Sequence, residues 1–212
     1  MLFLLAIQIV SCIVNGTLAG DKYPWTLNIR VNGQFQCGGV LLNENTAISV
    51  AHCVPVGNDL TTVNMIANQP NLTDNGPDVL IFNVTRIVMH PLFNFPCEGN
   101  GHPGGAFMSN DISVWKLNLF SGNRKQIPTP LQLETKKASE LVKQEFTIAG
   151  WGKTSDNDSV VPDLRETSMP IQSRKECERV FPSFDFENGN MLCGGPLNGG
   201  RGFCDGDSGG NS

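Results

Sequence analysis

Ser208 stands in the run Cys204-Asp205-Gly206-Asp207-Ser208-Gly209-Gly210, with glycine two residues before it and at both positions after it. Where side chains are missing, backbone N–H groups can approach a developing oxyanion. A serine hydroxyl is a weak nucleophile and needs a neighbouring base. His52, in Ala51-His52-Cys53, follows a strand-like run and could present an imidazole as general base. Asp111, in Asn110-Asp111-Ile112 ahead of the apolar Val114-Trp115, offers a carboxylate to sit behind that imidazole. Each motif alone has an ordinary reading: a glycine-rich surface turn, a satisfied structural histidine, a turn or cap aspartate. Together they are the parts needed for nucleophilic acyl transfer.

Short extended segments must position these residues. Trp25, Leu27, Ile29 and Val31 alternate with polar residues, Asn32-Gly33 supplies a two-residue hairpin turn, and Phe35 to Leu42 runs back. Further strands are predicted at Thr46–Val50, Val63–Ala67, Val79–Val84, Ile87–His90, Ser113–Leu117, Phe146–Trp151 and Met191–Cys193. One helix is predicted over Ser173–Val180, where Ser173 caps and Glu176 closes a capping box. The stretch Leu119–Glu140, rich in turn residues, reads as a connector between two lobes, and Phe95–Ser109 reads as a long exposed loop.

The 212 residues carry 40% hydrophobic and 17% charged residues, 23 Gly and 13 Pro, which describes a turn-rich folded protein with a real core. A net charge of -5 with no basic run argues against nucleic-acid binding. Seven cysteines without a CxxC pair, and Asn-x-Ser/Thr sequons at Asn15, Asn71, Asn83 and Asn157, point to an oxidising, glycosylating compartment rather than to zinc. Residues 1–12 hold an apolar run too short to span a bilayer but suited to a secretory signal. A misplaced start codon or an N-terminal fragment is the rival reading. The expected localisation is secreted and extracellular.

In the order His, Asp, Ser the chain resembles the chymotrypsin family of serine proteases. The resemblance covers residues 13 to 212 and rests on Ile13-Val14-Asn15-Gly16, Tyr23-Pro24-Trp25, Cys37-Gly38-Gly39, Ala51-His52-Cys53, Asn110-Asp111-Ile112, Gly150-Trp151-Gly152 and Gly206-Asp207-Ser208-Gly209-Gly210. It implies an all-β fold of two antiparallel six-stranded β-barrels with the active site between them. The expected divisions are a signal-like segment at 1–12, a first barrel lobe over 13–124 and an incomplete second lobe over 125–212. By the same resemblance Ser208 is the nucleophile, His52 the general base and Asp111 its orienting partner. The N–H groups of Gly206 and Ser208 form the oxyanion hole. A new N-terminus at Ile13 latches against Asp207. Gly202, Phe203 and Asp205 belong to the S1 pocket, and the uncharged Gly202 floor implies an apolar rather than basic P1 residue. Asp205 at the rim is expected to repel acidic substrate residues.

Disulfides are implied for Cys37 with Cys53 and for Cys177 with Cys193. Cys204 lacks its family partner. Cys97 reads as a free surface thiol, or else as bonded to Cys12 or to another chain. Cys12 also replaces the family's common Arg or Lys ahead of the isoleucine, which argues against tryptic activation. The implied partners are protein or peptide substrates and protein protease inhibitors, with no membrane span, no cofactor or metal, and a monomeric state. The family continues for several tens of residues beyond the position of Ser212, so the chain as written is expected to lack closing strands and not to be competent alone. The rival class is a secreted protease homologue acting as a binding module.

Overall fold

The computed structural model describes residues 16–57, 59–94, 109–154, 159–181, 191–203 and 205–210. Strand β1 (Thr17–Leu18) is followed by β2 (Thr26–Val31), β3 (Gln34–Asn43), β4 (Thr46–Ser49), β5 (Val63–Ala67), β6 (Leu80–Met89) and β7 (Ser113–Ser121). Then come α1 (Ala138–Leu141), β8 (Glu145–Gly150), β9 (Arg165–Pro170) and α2 (Arg174–Val180). Strands β2 to β7 close into an antiparallel barrel in the order β2-β3-β4-β7-β6-β5. The predicted hairpin forms because Asn32 and Gly33 adopt φ of 52° and 77°, the left-handed pair that a tight turn between twisted strands requires. The barrel interior is filled by Leu27, Ile29, Leu41, Met65, Leu80, Phe82 and Trp115, all fully buried.

Two predicted strands, Val79–Val84 and Ile87–His90, are one strand. The ladder of β6 with β7 shifts register between Val84 and Arg86, so the polar break at Thr85-Arg86 is a β-bulge rather than a loop. Strand β7 likewise runs on to Ser121, into the predicted connector, and α1 lies near that connector's far end. Met191–Cys193 forms no strand: Cys193 is held by its disulfide and by its carbonyl, which accepts from Gln172 N at 3.0 Å. Helix α2 starts at the predicted cap, with Ser173 Oγ accepting from Glu176 N at 3.3 Å and the Glu176 carboxylate accepting from Ser173 N. The long-loop residues 95–108, together with Cys12, Cys97 and Cys204, lie outside the described residues.

The second sheet has the order β1-β9-β8, with a smaller core of Ala19, Ala149, Trp151 and Leu164. The sequence missed β9 because Arg165-Glu-Thr-Ser-Met-Pro turns only Thr167 and Met169 into the buried layer. The N-terminal segment belongs to this sheet by pairing Thr17 with Glu166. The barrel joins it where Leu72 N donates to Pro162 O at 2.8 Å and Leu164 N to Pro70 O at 2.7 Å.

At this junction Glu166 receives both Lys22 Nζ and the Tyr23 hydroxyl. Burial first, and then Glu166, pushes the Tyr23 phenol up to about 12. Lys22 and then Tyr23 hold the Glu166 carboxyl below its usual range. An unfolded phenol ionises near pH 10. The folded chain therefore keeps a proton that the unfolded chain loses, and stability falls as pH rises from about 10 to about 12. Tyr23→Phe is expected to flatten that part of the profile, measured as the urea midpoint against pH. An unchanged alkaline slope would contradict the assignment.

Candidate active site

His52 lies on a 3-10 turn, Ala51–Cys53, immediately after β4, and Asp111 precedes β7. Strands β4 and β7 are antiparallel with Ser49 opposite Ser113. Continuing that register sets residue 51 opposite residue 111, so the two functional side chains meet at the open end of one strand pair. Asn110, at φ 54°, turns the chain into the site. The carboxylate of Asp111 then accepts twice from one residue: Oδ1 from the His52 backbone N at 2.9 Å and Oδ2 from His52 Nδ1 at 2.6 Å. Such a clamp fixes the ring's orientation and selects the Nδ1–H tautomer, which leaves Nε2 able to take a proton. Ser113 braces the pair from below. Its Oγ donates toward the carbonyls of Ser49 and Val50 and accepts from Trp115 Nε1 at 2.8 Å.

The serine turn rests on the neighbouring strand. Gly38 N, in β3, donates to Ser208 O at 2.8 Å, and Ser49 Oγ donates to Gly38 O at 2.8 Å. No room is left for side chains. A Cβ on Gly38 would fall 2.7 Å from Gly210 Cα, and one on Gly209, at φ 76°, would fall 2.1 Å from Ser49 Oγ. The Cys37–Cys53 disulfide ties the neighbour of Gly38 to the neighbour of His52, so both halves of the site hang on one crosslink. His52 is joined directly to Asp111. Among the described residues no hydrogen bond joins Ser208 Oγ to the His52 ring, and Ser208 is fixed through its carbonyl.

Asp207 folds back under the turn. Its Oδ1 accepts from Gly152 N at 2.8 Å, and a Cβ on either Gly150 or Gly152 would lie within 2.4 Å of its carboxylate atoms. The buried Trp151 between those glycines donates from Nε1 to Pro70 O at 3.1 Å. Gly206 has φ 95°, and a Cβ there would fall 2.9 Å from Val160. Ile13, the expected partner of Asp207, lies outside the described residues.

Of the S1 candidates, Gly202 is half-buried while Phe203 is exposed. Asp205 is exposed but matched. Its carboxylate meets Lys153 Nζ at 3.0 Å, and its carbonyl accepts from Lys153 N at 3.0 Å. Sequence reasoning missed Lys153 and Ser49 because each acts through a contact more than ten residues away, and neither carries a motif of its own. The second disulfide, Cys177–Cys193, forms as expected. The ligand-type atoms of Cys37, His52 and Cys53 lie within 4.8 Å of one another, but both sulfurs are spent in the disulfide.

A closed six-stranded β-barrel, joined to a second antiparallel sheet beside a glycine-lined serine turn, defines the chymotrypsin-like fold. The trypsin family model matches residues 13–211, and the chain belongs to the trypsin family. It is 28% identical to pig trypsin, over 93% of this chain and 78% of that protein. It is 28% identical to ovochymase-2 of the mouse over 96% of this chain, and it spans about a third (32%) of that longer relative. Among solved structures it resembles neuropsin, described as a serine protease expressed in the limbic system of mouse brain. That match has a TM-score of 0.72 at 26% identity, covering 93% of this chain and 81% of neuropsin.

Proposed function

We propose that this chain is the catalytic body of a secreted serine endopeptidase that hydrolyses peptide bonds through an acyl-enzyme. The observation that carries the reading is the double acceptance by Asp111 from one histidine, which prepares Nε2 of His52 as a base. Ser208 Oγ attacks the scissile carbonyl while His52 Nε2 takes its proton. The tetrahedral oxyanion is received by the N–H groups of Gly206 and Ser208, neither of which has an acceptor among the described residues. His52 returns the proton to the leaving amine, and water then repeats the sequence on the ester. Asp207, held on Gly152, keeps the turn in shape, and the α-amino group of a chain begun at Ile13 is its proposed counter-charge.

Specificity follows from Gly202. A pocket floor without charge leaves a bound ammonium or guanidinium unpaired, at a cost of about 3 kcal/mol or more. Apolar P1 residues are therefore expected to be favoured over Lys or Arg by at least about 100-fold in kcat/KM. A peptide library cleaved by the full-length protein, processed to begin at Ile13, tests both levels. Cleavage after Lys or Arg would remove the specificity, and no cleavage by any processed form would remove the reading.

A further inference from the structure

The turn that carries Gly206 is held from one side by two consecutive residues, Gly152 and Lys153. Gly152 N donates to Asp207 Oδ1 at 2.8 Å, and Lys153 N donates to Asp205 O at 3.0 Å. Lys153 closes the contact with its side chain, Nζ meeting Asp205 Oδ2 at 3.0 Å. Val160, paired with Lys153 across an isolated antiparallel bridge, packs on the same turn. A Cβ on Gly206 would fall 2.9 Å from Val160 Cγ1 and 3.0 Å from Gly152 Cα. Asp205 and Asp207 are therefore gripped on either side of a glycine that is itself pressed against the grip.

What this arrangement fixes is a peptide plane. No peptide bond among the described residues is cis. In a trans peptide the carbonyl of one residue and the N–H of the next point in opposite directions. With Asp205 O turned toward Lys153 N, the Gly206 N–H is aimed away from Lys153, and it has no acceptor among the described residues. Gly206, at φ 95°, is free to take φ of either sign, so its own backbone does little to stop that plane from turning over. A turned plane would put a carbonyl where the donor stands. We propose that Lys153 is a positioning residue for the oxyanion hole: its ion pair with Asp205 holds the Asp205–Gly206 peptide in the orientation that presents the Gly206 N–H. The inference rests on the reading of Gly206 as an oxyanion donor. The Asp205 side chain is 81% exposed and that of Lys153 31%, so the pair is screened by salt and its effect is bounded at a few fold, roughly.

The full-length protein, processed to begin at Ile13, is assayed as wild type, Lys153→Met, Asp205→Asn, the double variant and Lys153→Arg, with an uncharged peptide amide as substrate. Two inhibitors built on the same peptide separate positioning from binding. A trifluoromethyl ketone forms an adduct on Ser208 that carries an oxyanion, and the corresponding alcohol forms none. Each neutral single variant is expected to lower kcat and to weaken the ketone by about two- to fivefold, with KM and the alcohol's affinity unchanged. The double variant should lose no more than either single variant, and Lys153→Arg, which keeps the charge, should recover most of the loss. Raising salt to about 0.5 M should lower kcat of the wild type but not of Lys153→Met. Labelling of Ser208 by a fluorophosphonate is followed in parallel. A wild type that labels and turns over, beside neutral variants that match it in kcat and ketone affinity, overturns the inference alone. Equal weakening of ketone and alcohol also overturns it, because the pair then serves substrate binding. A wild type that neither labels nor turns over removes the reading of the site, and the inference with it.

Discussion

Ser208→Ala in the full-length protein is expected to lower kcat for peptide hydrolysis by about 10^6, with KM little changed. The loss is large because the other groups act through that one oxygen. In the proposed mechanism, without Oγ the His52 base has no proton to take, and the oxyanion donors proposed at Gly206 and Ser208 stabilise only the slow attack of water. The variant is expected to fold. Ser208 is held through its backbone carbonyl on Gly38 N, a contact that alanine keeps. An unchanged thermal melt beside abolished turnover is the expected pair of results. Substantial turnover by the alanine variant would show that another group is the nucleophile.

Asp111→Asn is expected to cost about 10^4 in kcat, the loss that the same change causes in the family's Ser-His-Asp triad. The physical cause is visible in the geometry. Oδ2 of Asp111 accepts the Nδ1–H of His52 at 2.6 Å, and Oδ1 accepts His52 N at 2.9 Å. An asparagine can keep one acceptance but presents an NH2 group to the other. If that group faces Nδ1, the imidazole proton moves to Nε2 and the base is lost. The histidine NMR signature separates this from unfolding: the ring should be ordered but in the other tautomer. A loss below tenfold would show that Asp111 does not orient the base.

Local features of the fold were legible where a residue type has one strong conformational use. Asn32-Gly33 announced its hairpin, and Ser173 with Glu176 announced the start of α2, because turn and cap chemistry act over three or four residues. Features set by register were not. The bulge at Thr85-Arg86 looks in sequence like a gap between two strands, and β9 looks polar because it buries only two side chains fully. The candidate site divides in the same way. His52, Asp111 and Ser208 could be named from their motifs. Their support from Ser49, Ser113 and Lys153 depends on which strand lies beside which. The repulsive role expected of Asp205 is tempered for that reason, since its carboxylate already faces Lys153.

The central claim is that Ser208 is activated as a nucleophile by His52 and Asp111. Reaction of the processed, full-length protein with a fluorophosphonate, followed by peptide mass spectrometry, reads that claim in one step. The predicted result is a single stoichiometric adduct on Ser208, absent from Ser208→Ala and strongly slowed in Asp111→Asn. An adduct on another residue, or a folded and processed protein that never reacts, would contradict it and leave a protease-like scaffold used for binding.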